Sequence, residues 1–123
     1  MAVFDLFDNN RIEITKGNTA TIDITPIDNE TGEPIVLGNG DYILFTVKSK
    51  NGTKVIQKTL TSDNYDDEMD KSVNCDLETS DTAELLTGEY PYDCLLVTSD
   101  GQAVTFISSS LVIKEAIGMP NDI

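Results

Sequence analysis

The sequence contains no histidine, no tryptophan, two cysteines and a single arginine, Arg11. Without histidine the chain lacks the commonest general base and metal ligand, which argues against an enzyme and leaves only carboxylate chemistry. Eight basic residues stand against 22 acidic ones, giving a net charge of −14. Because no large basic patch can form, the composition predicts no nucleic-acid partner and disfavours an anionic membrane surface. The excess of acids either keeps the protein soluble or docks it to a basic partner.

Targeting signals are also lacking. No window of the sequence approaches the ~20 apolar residues that a membrane-spanning helix needs. Residues 1–8 have no positively charged side chain and carry acids inside their apolar run, so we expect no signal peptide and synthesis in a cytoplasm. Cys75 and Cys94 fall in predicted strands without metal-ligand spacing, which favours two small buried thiols over a cross-strand disulfide.

The length and composition indicate one domain, since a chain of 123 residues buries roughly two-thirds of its unfolded surface. We predict an N-terminal arm at 1–10, the domain at 11–116 and a C-terminal tail at 117–123. The arm either packs on its own domain or contacts another subunit. Apolar residues in the arm and tail are the candidate interface residues: Phe4, Leu6, Phe7, Met119 and Ile123.

The stretch from residue 87 to residue 114 predicts a long C-terminal hairpin. Tyr90, Tyr92, Cys94 and Leu96 alternate along one strand and build one buried face. Asp100-Gly101 then supplies a residue that adopts positive φ and reverses the chain, before a second strand at 103–114 rich in Val, Ile, Phe and Thr.

Five further predicted strands complete an all-β pattern. Strands are predicted at 12–14, 20–25, 42–48, 54–60 and 72–77, with an Asn51-Gly52 hairpin turn between the third and the fourth. The most apolar of these, 42–48, has apolar residues on both faces and is expected to be central. A capped helical turn is predicted at 80–86, with Ser80 or Asp81 as its N-cap. The fold class is therefore all-β: a single immunoglobulin-like β-sandwich of about seven strands with one short helical turn.

Tyr92 and Cys94 have the spacing of a tyrosine corner, in which the tyrosine hydroxyl bonds back to the preceding loop. We therefore predict that Tyr92 packs in the core and donates to the backbone near Leu86. The antibody-type core itself is excluded, because Cys75 is only 19 residues upstream and no tryptophan accompanies the pair.

Two acidic segments are candidates for chemistry. One holds Asp63, Asp66, Asp67, Glu68 and Asp70, whose oxygens suit Ca²⁺ but whose spacing does not fit an EF-hand loop. The other holds Asp28, Glu30 and Glu33, and glycoside hydrolysis would need two such carboxylates across a cleft. Solvated loops are the simpler interpretation of both, so we predict no catalytic residue, no metal and no cofactor.

The order of the turns and strands resembles a known family. Gly17-Asn18-Thr19, Phe45-Thr46-Val47-Lys48, residues 88–93 and Asp100-Gly101 follow one another as in the immunoglobulin-like N-terminal domain of phage baseplate upper proteins and related prophage tail proteins. The similarity covers 11–116. It implies a non-enzymatic structural subunit of a phage or prophage particle, either a tail or baseplate adaptor or a head-surface decoration.

That resemblance also implies a location in the virion, after synthesis in the bacterial cytoplasm. The partners that it implies are other virion proteins, including copies of this chain, and not nucleic acid or a membrane. Two alternatives remain open on the residues alone. One is a β-sandwich module that binds carbohydrate or a host surface through loops at one end. The other is an enzyme using paired carboxylates.

Overall fold

A computed structural model describes residues 11–28, 30–64 and 72–115 of the chain. The predicted arm and tail lie outside the described residues, and so do the five candidate interface residues Phe4, Leu6, Phe7, Met119 and Ile123. The described residues contain seven strands, a 3₁₀ turn at Ser62–Asn64 and one α-helical turn. Their bounds are β1 Ile12–Thr15, β2 Ala20–Ile24, β3 Tyr42–Lys48, β4 Lys54–Leu60, β5 Val73–Leu77, α1 Thr79–Thr82, β6 Gly88–Val97 and β7 Ala103–Lys114.

The strands form two sheets. One has five strands in the order β1-β7-β6-β3-β4, and the other pairs β2 with β5. All pairs are antiparallel except β1 with β7, which run parallel with Ile12 opposite Leu111. The second and fifth strands thus lie against the third, fourth, sixth and seventh, as in an immunoglobulin-like sandwich. The predicted all-β sandwich is confirmed, and β3 occupies the interior position that its apolar faces indicated.

The core lies between the two sheets and is built from alternate residues of each strand. On β3, Ile43, Phe45 and Val47 are fully buried, and on β6 Tyr92, Cys94 and Leu96 are buried as the alternation predicts. Phe45 packs on the ring of Tyr92, with centroids 5.3 Å apart and planes tilted by 38°. The smaller sheet covers this layer with four buried side chains: Ile24, Val73, Cys75 and Leu77.

Both predicted hairpin turns are present and have the same geometry. Ser49 N donates to Thr53 O at 2.7 Å, and Thr98 N donates to Gln102 O at 2.9 Å. In each turn the glycine predicted from the sequence takes positive φ, +89° at Gly52. This combination is a type I turn followed by a left-handed residue, which matches the twist of the flanking strands.

The helical turn begins earlier than the sequence predicted. It starts after Glu78 rather than after Ser80 or Asp81, and Asp81 serves as its third residue, where Oδ2 accepts from Glu78 N at 2.7 Å. The same oxygen lies 2.9 Å from Lys58 Nζ. Lys58 lies on the same, core-facing side of β4 as Ile56 and Leu60. Because β4 is an edge strand, this half-buried ion pair joins the edge of the five-stranded sheet to the segment that follows β5.

Thr82 fixes this helical turn against the opposite loop. It is fully buried, and its Oγ1 accepts from Gly17 N at 2.8 Å, in the turn between β1 and β2. Replacing it by valine keeps the volume but leaves a half-buried N–H without its acceptor. We therefore expect Thr82→Val to lower the free energy of unfolding by about 1–2 kcal/mol in urea titrations.

The exposed Thr79 in the same turn is the matched control, and Thr79→Val should change the stability by less than about 0.5 kcal/mol. Equal losses for the two variants would show that the contact between Thr82 and Gly17 contributes nothing specific.

The prediction that Tyr92 packs in the core is confirmed, but a different tyrosine makes the predicted hydrogen bond to the loop. The hydroxyl that donates to Leu86 O, at 2.6 Å, belongs to Tyr90, while Tyr92 is buried against Phe45. The two tyrosines share one face of β6, and the one nearer the strand start lies closer to the preceding loop. Tyr92 was chosen because it stands two residues before Cys94, but that spacing does not identify the tyrosine that bonds to the loop.

Candidate functional site

The five-stranded sheet has a second, outward face with its own apolar cluster. Tyr42 and Leu44 alternate with the buried residues of β3, and they lie directly opposite Val97 and Leu95 of β6. All four side chains are half-buried and do not belong to the core or to the residues packed against it. We call these four residues the outer patch.

A groove adjoins the outer patch where β3 begins and β4 ends. Its volume is about 650 Å³, within the 300–1,000 Å³ typical of ligand pockets. Tyr42 and Leu44 belong to both surfaces, so the groove continues directly from the patch. We call it the strand-end groove, and its lining residues are Gly38, Asn39, Gly40, Asp41, Tyr42, Leu44, Thr59, Thr61, Ser62 and Asp63.

One wall of the groove is held by Asp41. Its Oδ2 accepts from Gly38 N and its Oδ1 from Ser99 N, both at 2.8 Å. The carboxylate thereby ties the loop before β3 to the hairpin turn between β6 and β7. These backbone hydrogen bonds, first that from Gly38 and then that from Ser99, lower the pKa of Asp41 because they favour its charged form.

The lowered pKa of Asp41 predicts a dependence of stability on pH. The ionised carboxylate of Asp41 stabilises the folded protein above its unfolded-state pKa of about 3.9. This stabilisation is lost as the pH falls through that value towards the lower pKa of the folded state. We expect Asp41→Asn to cost about 1 kcal/mol at pH 7, since the side chain is partly solvated. That difference from the wild type should shrink when urea titrations are repeated near pH 3.

The exposed Asp23 on β2 provides the control, and Asp23→Asn should show no such convergence. A cost for Asp41→Asn that is the same at both pH values would contradict a role for the ionised carboxylate.

The opposite wall is the 3₁₀ turn after β4. Asn64 Oδ1 accepts from Thr61 N at 2.8 Å, and Thr61 Oγ1 accepts from Asp63 N at 3.2 Å. A backbone hydrogen bond from Asn64 N to Thr61 O, 2.9 Å long, closes the turn. Hydrogen bonds to backbone groups therefore hold both walls of the groove.

The groove is acidic. Asp41 and Asp63 line it, and none of the lining residues that the structure describes is basic. The described lysines and the arginine lie outside the groove. Three of them form ion pairs: Arg11 and Lys114 with Glu13, and Lys58 with Asp81. The others lie in the β1–β2 turn, at Lys16, and near the hairpin between β3 and β4, at Lys48, Lys50 and Lys54. A concave surface lined by one sign of charge concentrates counter-charges.

The structure describes only some of the acidic residues singled out in the sequence. Asp63 lies in the groove, whereas Asp66, Asp67, Glu68 and Asp70 fall outside the described residues. Asp28, Glu30 and Glu33 form a surface turn in which Asp28 Oδ1 accepts from Glu30 N at 2.8 Å. Within residues 11–28, 30–64 and 72–115, no group of three or more Cys, Asp or Glu side chains is placed to hold a metal ion.

Both cysteines are buried, as predicted, and no disulfide joins them. Burial raises the pKa of the Cys75 thiol to about 12, and the nearby Lys58 only partly offsets this. Cys75 therefore stays protonated near neutral pH and is a poor nucleophile. No helix in the described part of the chain is long and apolar enough to cross a membrane.

The sequence analysis missed the strand-end groove. Its lining comes from two segments, 38–44 and 59–63, that only the pairing of β3 with β4 brings side by side. Two sequence segments could have drawn attention to the groove: Gly38-Asn39-Gly40-Asp41 before β3 and Thr61-Ser62-Asp63-Asn64 after β4. Both are rich in residues whose short side chains bond to nearby backbone, which marks a turn but not a cavity.

Comparison with known proteins adds a fold relationship. No protein-family model matches the chain, and none of the curated proteins matches it. Among solved structures, the chain is similar to the crystal structure of CopC from Methylosinus trichosporium OB3b, with a TM-score of 0.50 and 14% sequence identity. The match covers 96% of this chain and 97% of that one. At this identity the likeness shows the sandwich fold alone.

This comparison corrects the predicted function. The prediction of a structural subunit of a phage or prophage particle is wrong on this finding, because a solved structure that shares the fold over nearly the whole of both chains is that of CopC. The resemblance to baseplate upper proteins, on which that function rested, is not tested by these matches and stays a prediction.

Proposed function

We propose that this protein is a non-enzymatic binding domain that holds a polypeptide partner on the outward face of its five-stranded sheet. The observation that carries the proposal is the outer patch, in which Tyr42 faces Val97 and Leu44 faces Leu95 across neighbouring strands. Four half-buried apolar side chains in two adjacent cross-strand pairs make a continuous surface, unlike apolar residues scattered singly over a protein.

The energetics suit a moderate, reversible contact. Full burial of a large apolar side chain is worth about 1.5–3 kcal/mol, so covering the exposed part of each residue in the patch, about a third or less, contributes at most about 1 kcal/mol. The four residues sit on strands β3 and β6, which are both paired on two sides within the sheet. Their rigid backbone means that little of this gain is lost to ordering the domain on binding.

The chemistry of the chain favours a polypeptide over other partners. A net charge of −14 repels nucleic acid and anionic lipid, and it attracts a basic protein segment. No histidine is present, and the buried Cys75 stays protonated, so the usual nucleophile and base pairs are lacking. Binding without catalysis is the function that these residues support best.

A random-sequence peptide library selected on the intact protein tests the proposal. Enriched peptides should bind the wild type in calorimetric titrations and bind Leu44→Thr and Leu95→Thr about tenfold more weakly or worse, which corresponds to ~1.4 kcal/mol. Threonine suits strands, so both variants should keep the fold, which circular dichroism checks.

Val36 is the matched control, because it is 54% exposed and lies outside the sheets. Val36→Thr should bind the same peptides as the wild type. Failure to enrich any peptide, or equal binding by Leu44→Thr, Leu95→Thr and Val36→Thr, would refute the proposal.

A further inference from the structure

Resting on the proposed function, we infer that the strand-end groove takes a lysine or arginine side chain of the bound polypeptide, next to an apolar residue that covers the outer patch. The groove and the patch share Tyr42 and Leu44, so one extended segment spans both surfaces. Successive side chains on the same face of an extended segment are about 6–7 Å apart, which suits two adjoining subsites.

The groove has the charge that a cationic side chain requires. Asp41 remains anionic because the backbone N–H groups of Gly38 and Ser99, and to a smaller extent the Ser99 side chain, hydrogen-bond to it. A carboxylate has about four lone-pair sites, so it can accept a further donor. Asp63 is exposed at the other wall. Among the described lining residues none is basic, and neither carboxylate forms an ion pair with another described residue.

The floor of the groove suits the rest of such a side chain. Lysine and arginine carry apolar stems that pack on apolar surface while the charged end stays at a polar rim. Leu44 and the ring of Tyr42 supply that surface, and Thr59, Thr61 and Ser62 supply hydroxyl groups around it. A planar guanidinium also stacks on aromatic rings and pairs with carboxylates through two hydrogen bonds, so arginine should be preferred to lysine.

Other occupants fit less well. A metal ion would need more ligands than this groove offers, since no metal-binding group occurs in the part of the chain that the structure describes. A second copy of this chain would bring basic residues at the hairpin of Lys48, Lys50 and Lys54, but it would also bring its own net charge of −14. Like-charge repulsion between copies therefore favours a separate, basic partner.

The composition and affinity of the selected peptides test this inference. We expect enrichment of arginine or lysine beside an apolar residue. Asp63→Asn should weaken binding about tenfold at low salt and less at high salt, because screening removes the same attraction. The exposed Asp23 lies on the other sheet, and Asp23→Asn should bind as the wild type does.

Two outcomes would overturn the inference. Enriched peptides without basic residues, or equal affinities for Asp63→Asn and Asp23→Asn, would exclude a cation in the groove, and the proposed function would survive if Leu44→Thr and Leu95→Thr still weakened binding. A mass in light scattering that rises with concentration in the wild type but not in Asp63→Asn would assign the groove to a second copy instead.

Discussion

Replacing Phe45 by alanine should lower the free energy of unfolding by about 3–5 kcal/mol, the usual cost of emptying a phenylalanine site in a packed core. Phe45 is fully buried at the centre of β3 and packs on Tyr92 at a centroid distance of 5.3 Å. The loss combines removed apolar contact with the cavity that neighbouring strands cannot close. Urea titrations followed by circular dichroism measure it, provided that the m-value is unchanged.

Leu86 provides the control for this prediction, because its side chain is 79% exposed. Leu86→Ala should change the stability by less than about 0.5 kcal/mol, and the hydrogen bond from Tyr90 should persist because it reaches the backbone oxygen of Leu86. A loss below 1 kcal/mol for Phe45→Ala would mean that the two sheets do not close over this residue.

Replacing Gly40 by alanine should lower the free energy of unfolding by about 2–5 kcal/mol. Gly40 has φ of +92°, and a Cβ at this position would lie 2.9 Å from Cβ of Ser99. Left-handed backbone costs a residue with a Cβ roughly 1–2 kcal/mol, and forced overpacking adds about 1–3 kcal/mol. The substitution should therefore also separate the loop that carries Asp41 from the hairpin turn at Ser99, which changes the wall of the strand-end groove.

The same substitution at Gly52 separates the cost of the left-handed backbone from the cost of the steric contact with Ser99. It has a similar φ of +89°, but a Cβ there would meet nothing within 4 Å, so Gly52→Ala should show the backbone cost alone. In a double-mutant cycle, Ser99→Gly should recover at least about 1 kcal/mol of the loss in Gly40→Ala, because it removes the atom that the new methyl group meets. Additive effects would show that the two loops are not in close contact.

The sequence predicted those parts of the fold that depend on local pattern. Alternation along Tyr90, Tyr92, Cys94 and Leu96 placed one face of β6 in the core, because strand side chains repeat every two residues. The glycines of Asn51-Gly52 and Asp100-Gly101 located two hairpins, because only glycine adopts positive φ without cost there.

Contacts between distant segments were not predictable from such patterns. The parallel pairing of β1 with β7, and the bulge that lets Phe106 and Ile107 both be buried opposite Cys94, depend on how the strands assemble. The hydrogen bond between Gly17 and Thr82 joins residues 65 positions apart. No local period specifies an interaction of this kind.

Function was predicted less well than fold, and for a physical reason. The motifs behind the phage resemblance, such as Gly17-Asn18-Thr19 and Asp100-Gly101, are turns, and turns specify how strands connect. They place no ligand-binding side chain, so the same order of turns serves proteins with unrelated functions. The strand-end groove, in contrast, depends on Asp41 reaching Ser99 at a separation of 58 residues.

Amide chemical shifts of the isotopically labelled, intact protein test the central claim most directly. On titration with a selected peptide that contains arginine, the largest changes should occur at 42–44 and 95–97 in the outer patch and at 59–63 in the groove. The amides of β2 and β5 should barely move. Changes confined to β2 and β5, or no saturable change anywhere, would contradict binding on the outward face of the five-stranded sheet.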